Sequence, residues 1–346
     1  MTRSLHGASL SFVIGATLLA MAGTVARADD VADFYKGKTI TMLTGVGLGS
    51  SYGTHAHLFA AVFKAKVPGQ PNIIVQAMTG AGGAKMVSYL YNVAPKDGTY
   101  IGFPLKYIAL NQAIGVPGIK YDAAKFNFLG SLGPMNSVVA IWTAGSKVRT
   151  IEDAQKQQVV MGSTGKSSET YITPTLMNNL LGTKFKVITG YAGTAAIHIA
   201  MERDEVGGVA ASWDSVKAEK PQWLKDKKVV LLAQSGTERS RDLPDLPLLL
   251  DLARTPEQKT ILTLVANGNA VGRLMMTPPD VPSDRVAALR AAFDATVKDP
   301  AYLASIKERN LDFDPMPAAK VAGLIKATLA EPPATIVKVR AAMGMD

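Results

Sequence analysis

The sequence predicts an α/β protein of two lobes with a cleft between them. Three observations carry that reading. Strand-like and helix-like segments alternate over most of the chain, Gly- and Ser-rich turns separate several strands from the helices that follow, and the last third is almost all helical. This order builds largely parallel sheets with helices on both faces. Strands are expected at 39–45, 72–77, 100–103, 127–131, 138–143, 159–163, 186–189, 206–210, 229–233 and 270–275. Helices are expected at 54–66, 84–93, 107–113, 151–157, 168–181, 194–203, 256–266, 283–298, 300–310, 318–329 and 333–343.

The elements follow from the residues in order. Residues 1–28 are set apart first: Arg3, an apolar run over 10–23 and the small-x-small triplet Ala26-Arg27-Ala28 make a secretory leader cut after Ala28. The apolar run is short of the ~20 residues that span a bilayer. The first strand is the run from Thr39 into Gly45, and the next helix carries an apolar stripe at Ala56, Leu58, Phe59, Val62 and Phe63. Met86, Leu90 and Tyr91 mark the helix after the second strand. Lys96-Asp97-Gly98 is a turn, and Pro117-Gly118 and 244–247 are loops. Ser283 and Asp299-Pro300 start two of the late helices. The middle block, 133–235, has its own strand–helix units and reads as a second lobe inserted into a first lobe made of 29–132 and 236–346. Two crossings between lobes make a hinge, and open α/β sheets bind ligands beyond the carboxyl ends of their strands.

Composition narrows the function. The 346-residue chain carries formal net charge +9; the leader holds two arginines and no acid, which leaves +7 on the mature chain. The one dense basic cluster, Lys225-Asp226-Lys227-Lys228, has acidic and polar neighbours and no aromatic ladder, which argues against nucleic-acid binding. A mild positive bias favours small anions. There is no cysteine, hence no disulfide, in keeping with a bacterial periplasm. The histidines are His6, His55, His57 and His198; without cysteine or spaced carboxylates they make no metal site, and no cofactor is expected.

The candidate chemistry lies in the turns. Gly45 to Tyr52 breaks from strand to helix with small residues and two serines, where backbone N–H groups can turn toward an anion. Thr79-Gly80-Ala81-Gly82-Gly83 repeats the grammar, as does Gly162 to Ser168, where Ser167 or Ser168 caps a helix and Glu169 sits in its first turn. Gly190-Tyr191-Ala192-Gly193-Thr194 is a fourth such turn. Ala211-Ser212-Trp213-Asp214 ends a strand with an aromatic and an acid; Trp213 also suits a core and Asp214 a helix cap. Two other motifs occupy the first turn. Gly49-Ser50-Ser51-Tyr52-Gly53 matches the G-x-S-x-G nucleophile elbow, with Asp153 and His198 following in the permitted order for a serine hydrolase. Gly45-Val46-Gly47-Leu48-Gly49-Ser50 lacks the third glycine of a dinucleotide fingerprint, and the next strand ends at Gln76-Ala77 with no ribose-binding acid.

Phe34-Tyr35-Lys36-Gly37-Lys38-Thr39-Ile40, Gly80-Ala81-Gly82-Gly83, the run from Tyr89 to Thr99, and Gly190-Tyr191 resemble the tripartite tricarboxylate transporter receptors, the Bug family. Ala200-Met201-Glu202-Arg203 with Glu205-Val206, and the segment from Pro278 to Arg285, are similar to its later motifs. The resemblance spans essentially the whole mature chain. It implies a two-lobed periplasmic binding protein of the type II fold, a monomer that holds a small carboxylate through loop backbone, hydroxyls and bridging waters. It implies delivery to a membrane permease of one large and one small subunit. Carried over by position, the ligand-binding residues are Gly47, Gly49, Ser50, Ser51, Tyr52, Thr79, Ala81, Gly82, Ser163, Thr164, Lys166, Ser167, Ser168, Tyr191, Gly193, Thr194 and Asp214. Gly53 stands where many members carry an acid that holds a ligand amino group, which disfavours an amino acid here. His57 replaces a usual Arg, and Lys166 either contacts the ligand or faces solvent. The expected function is an exported carboxylate receptor and not an enzyme; the rivals are a secreted hydrolase using Ser51 and His198, and a ligand-sensing adaptor for a membrane kinase.

Overall fold

The structure, a computed structural model, describes residues 30–345, so the leader expected over 1–28 lies outside the described residues. The strands are β1 (Thr39–Thr44), β2 (Asn72–Ala77), β3 (Tyr100–Phe103), β4 (Asn127–Ser131), β5 (Ser137–Trp142), β6 (Val159–Ser163), β7 (Phe185–Thr189), β8 (Gly208–Ser212), β9 (Val229–Ser235), β10 (Leu274–Thr277) and β11 (Met316–Pro317). The helices are α1 (Ser51–Phe63), α2 (Ala84–Asn92), α3 (Ile108–Ala113), α4 (Ile151–Lys156), α5 (Glu169–Leu181), α6 (Thr194–Glu202), α7 (Trp213–Lys217), α8 (Pro221–Lys225), α9 (Pro256–Val271), α10 (Ser283–Thr296), α11 (Pro300–Glu308), α12 (Ala318–Leu329) and α13 (Pro333–Ala342).

The strands form two sheets, one in the order β11-β4-β10-β3-β1-β2 and the other in the order β7-β6-β8-β5-β9. Both are mixed rather than largely parallel. β1 pairs in parallel with β2 and β3, and β6 with β7 and β8, each through a helical crossover. β10 runs antiparallel to β3 and β4, and β5 antiparallel to β8 and β9. Parallel neighbours need a long crossover; β5 and β10 are entered from the other sheet, so no crossover fixes their direction. The two crossings lie side by side. Leu132 N–H donates to the Arg273 carbonyl at 3.0 Å, Arg273 N–H to the Gly133 carbonyl at 3.2 Å, and Met135 N–H to the Asn269 carbonyl at 3.0 Å.

Packing explains where the elements depart from expectation. α9 continues five residues past 266, and β10 begins at Leu274 rather than 270. Gly268 lies inside that helix because a Cβ there would collide with the Tyr107 ring. Asn269, the next residue, accepts from the Tyr107 hydroxyl at 3.2 Å and donates to Ser235 Oγ at 3.0 Å. The helix stops at Gly272, whose φ of 58° only glycine adopts without strain. β8 starts at Gly208, not 206, and runs on so that Ser212 pairs with Ser137. The one-turn helices α7 and α8 are too short to show a periodic pattern.

The first sheet and its helices bury an aromatic cluster in which Phe59 stacks on Phe63 at 4.9 Å and meets Tyr302 edge-on at 5.8 Å. Burying each such ring contributes about 2–3 kcal/mol. A different apolar cluster joins α3, α5, α9 and α13, bringing Tyr107 and Leu110 against Ile172, Leu176, Val265 and Val339. It couples the first sheet's helices to α5 of the second.

Candidate ligand-binding cleft

The turns after β1, β2, β6, β7 and β8 meet between the two sheets. Gly47 N–H donates to the Ala192 carbonyl at 3.0 Å, and Gly82 N–H donates to the Thr164 carbonyl at 3.1 Å. Ser51 Oγ lies 3.0 Å from Ser212 Oγ and accepts from Ser215 Oγ at 3.2 Å. Glycine is required where the backbones touch. A Cβ on Gly82, whose φ is 64°, would sit 2.8 Å from Ser168 N and 2.9 Å from Ser167 N. Gly193 faces Gly47 N with only 3.2 Å to spare for a Cβ.

These turns enclose a cavity of about 20 Å³ lined by Ser50, Ser51, Tyr52, Thr164, Ser168, Glu169, Thr170, Thr194, Ser212 and Ser215, with Val46 and Leu105. Such a volume holds about one water, so a larger guest enters only when the turns part. The wall is almost entirely hydroxyl. Ser50 caps α1, accepting from Gly53 N–H at 3.4 Å and donating to the Gly47 carbonyl at 2.7 Å. Ser168 caps α5, and Thr170 Oγ1 collects Ser163, Thr164 and Ser168 at 3.0, 3.3 and 3.0 Å. α6, by contrast, begins at Gly193 with no side-chain cap, leaving its first N–H groups open to an anion. Tyr52 Oη and Thr194 Oγ1 are buried without a hydrogen-bond partner. Burial, with Glu169 second, pushes the Tyr52 phenol well above its usual range, so it stays a donor.

The remaining residues anticipated from sequence fall into three groups. Gly49 is exposed and approaches Ala195 of α6; Ser163, the last residue of β6, and Ser167, in the turn after it, are buried, the Ser167 carbonyl accepting from Asn111 Nδ2 at 2.9 Å. Thr79, Ala81 and Tyr191 belong to the converging turns but do not line the cavity, and Lys166 is exposed and outside it. Asp214 is fully buried and committed to other protein groups. Its Oδ2 takes Arg273 Nη2 at 2.5 Å and lies 3.4 Å from His55 Nε2; its Oδ1 accepts from Asp312 N–H at 3.2 Å. Burial alone would raise this carboxyl, but Arg273, His55 and Lys217 outweigh it and hold it far below the usual carboxylate range. The same burial, aided by Arg273, draws His55 down to about 4. A second hollow of about 320 Å³, reached by Ser51, Asp214, Lys217, Glu219, Glu308 and Arg309, flanks this ion cluster.

Sequence reasoning passed over Glu169, Lys106, Ser212, Ser215 and Arg273. Glu169 looked like an ordinary first-turn acid; in the fold it lines the cavity and pairs with Lys106 Nζ at 2.6 Å, while Ser137 Oγ, which accepts from Lys106 at 2.8 Å, also donates to it. Burial lowers the Lys106 ammonium although Glu169 opposes the shift. Arg273 meets Asp214 from 59 positions away, a pairing without local signature. Gly53 also reads differently: a Cβ there would collide with the Leu48 carbonyl, so no acid fits this turn.

The hydrolase constellation is not assembled. His198 is buried against Trp223 at 4.8 Å with neither ring nitrogen hydrogen-bonded, Asp153 sits in an exposed capping box on α4, and Ser51 bonds to serines. His55, one turn from Ser51, has no partner at Nδ1, so it does not hold the serine either.

A two-sheet α/β fold whose chain crosses twice between the sheets, with the turns of both sheets facing each other, is the fold of periplasmic binding proteins. The sequence matches no protein-family model and no curated protein. Among solved structures, the chain is similar to the periplasmic binding protein BugD, with a TM-score of 0.72, 17% identity, and coverage of 90% of this chain and 99% of that one. It is similar to Rpa4515 of R. palustris, solved with adipate (TM-score 0.69, 16% identity, 89% and 97% covered). It is also similar to MatC from Rhodopseudomonas palustris, solved with bound malate (TM-score 0.66, 19% identity, 86% and 99% covered). At these identities the likeness establishes the fold.

Proposed function

We propose that this chain is a periplasmic solute-binding receptor that captures a small organic carboxylate and hands it to a tripartite tricarboxylate transporter. The observation that carries the reading is the meeting of turns from both sheets around one hydroxyl-lined gap, with an uncapped helix N-terminus and two unpartnered buried hydroxyls at its wall. Such a wall offers donors to an anion and no assembled nucleophile–base pair. The carboxylates in two similar structures, adipate and malate, agree with that chemistry. In this reading the lobes are 29–132 with 236–346, and 133–235, and the leader is removed after Ala28. The protein acts as a monomer that meets the large and small permease subunits once closed on its ligand. Closure is favoured by contacts that a ligand makes to both lobes only when they are shut.

Thermal-shift screening of the mature protein against mono-, di- and tricarboxylates, aromatic acids included, tests the proposal. Stabilisation by a carboxylate is expected. Stabilisation by sugars or cations, with none by any carboxylate, overturns it.

A further inference from the structure

We propose that Glu169 selects the class of carboxylate: the cleft accepts an acid whose second polar group is a hydrogen-bond donor, hydroxyl or ammonium, and disfavours a second carboxylate in that place. The inference rests on the receptor reading above and deepens it. Glu169 is only 7% exposed, opens α5 and lines the cavity. Its Oε2 is occupied by Lys106 Nζ and Ser137 Oγ, neither of which belongs to the cavity wall. Among the described residues no hydrogen bond reaches Oε1, so this oxygen is what the carboxylate offers to a guest. Every other polar side chain on the wall is a hydroxyl, able to donate or accept by rotation. An ionised carboxylate only accepts.

A ligand carboxylate set against Oε1 brings two anions together in a water-poor site, where their repulsion is weakly screened. Lys106 relieves it only in part, because its ammonium sits on Oε2 and outside the cavity wall, farther from the guest than Oε1. A hydroxyl or ammonium instead gives Oε1 the donor it lacks. The donors for the ligand's own carboxylate lie on other elements: Tyr52 Oη on α1, and Thr194 Oγ1 with the open N–H groups of α6. The cleft therefore has a donor part and an acceptor part, and a ligand of matching polarity satisfies both.

Calorimetric titration of the full mature protein with matched acids tests this. The probes are succinate, 4-hydroxybutyrate and 4-aminobutyrate, and adipate, 6-hydroxyhexanoate and 6-aminohexanoate. The hydroxy or amino member of a set is expected to bind at least about tenfold more tightly than its dicarboxylate, as repulsion between unscreened like charges implies. In Glu169→Gln, which keeps the shape and removes the charge, the dicarboxylate should gain about tenfold and the amino acid should lose affinity. A dicarboxylate that binds as tightly as its partners, or a ratio that Glu169→Gln leaves unchanged, overturns the role of Glu169 while the receptor reading stands. Absence of binding by every carboxylate tried, in the screen above as here, removes both. Should Glu169→Gln fail to fold because it strands Lys106, the ratio in the unsubstituted protein decides.

Discussion

Arg273, in the crossing between the two sheets, donates through Nη2 to Asp214 Oδ2 at 2.5 Å, and both side chains are sealed from solvent. The pair ties the hinge to the start of α7. Removing one partner of a buried ion pair leaves an uncompensated charge, at a cost of about 3–5 kcal/mol. Asp214→Ala should lower the free energy of unfolding by that amount, measured by denaturant titration. Combining it with Arg273→Met should return most of the loss. A single substitution without effect would show that the pair does not hold the hinge.

Three buried titratable groups shape the pH dependence of stability. Burial lowers His55 and His198 from 6.5 to about 4, helped by Arg273 and Lys220 respectively, and raises Glu219 from 4.5 to about 8, with Asp214 adding to the shift. Each histidine contributes stability that is complete above pH 6.5 and is lost as pH falls toward 4, on the order of 3 kcal/mol apiece. Glu219 does the reverse: its contribution is complete below pH 4.5 and is lost as pH rises toward 8. At neutral pH its protonated carboxyl lies 3.9 Å from His198 Nδ1, too far to hydrogen-bond. Together they place a stability maximum at about pH 6.5. Unfolding free energies from pH 4 to 9 should show it, and Glu219→Gln should flatten the fall between 6.5 and 8.

Gly82→Ala should oppose closure. The new methyl meets Ser167 N and Ser168 N across the cleft, and φ of 64° adds strain of about 1 kcal/mol. Small-angle scattering should report a larger radius of gyration than for the unsubstituted protein. Affinity for any stabilising carboxylate should drop about tenfold or more. Unchanged scattering and affinity would mean that the two turns do not meet in solution.

Tyr52→Phe separates folding from binding. Its hydroxyl is buried and unpartnered, so its removal should leave the melting temperature unchanged or slightly raised. A carboxylate that uses this donor should bind about 10–150-fold more weakly, the worth of a hydrogen bond to a charged group. Retained affinity would take Tyr52 out of the ligand site.

The alternation of elements and the chemistry of the turns were legible because both are local. Apolar spacing marks α1 by Ala56, Leu58, Phe59, Val62 and Phe63, of which Ala56, Phe59 and Phe63 are buried and the other two half-buried, and of the two serines offered as the cap of α5 it is Ser168 that serves; the start of α1 at Ser51, capped by Ser50, lies three residues before the one expected. The mixed strand directions were not legible, because β5 and β10 take theirs from a neighbouring sheet rather than from their own residues. The need for glycine at 268 and 53 is likewise set in space: the Tyr107 ring at the start of α3 excludes a Cβ from the first and the Leu48 carbonyl excludes one from the second.

By itself the sequence determined the class of fold and the hydroxyl- and glycine-rich turns, since each depends on neighbours a few positions apart. Only the tertiary structure decided which of those hydroxyls share one wall, that Asp214 pairs with Arg273, and that Glu169 stands in the cleft. Those facts depend on groups separated by tens of residues along the chain, and desolvation and charge pairing act through space, not along it.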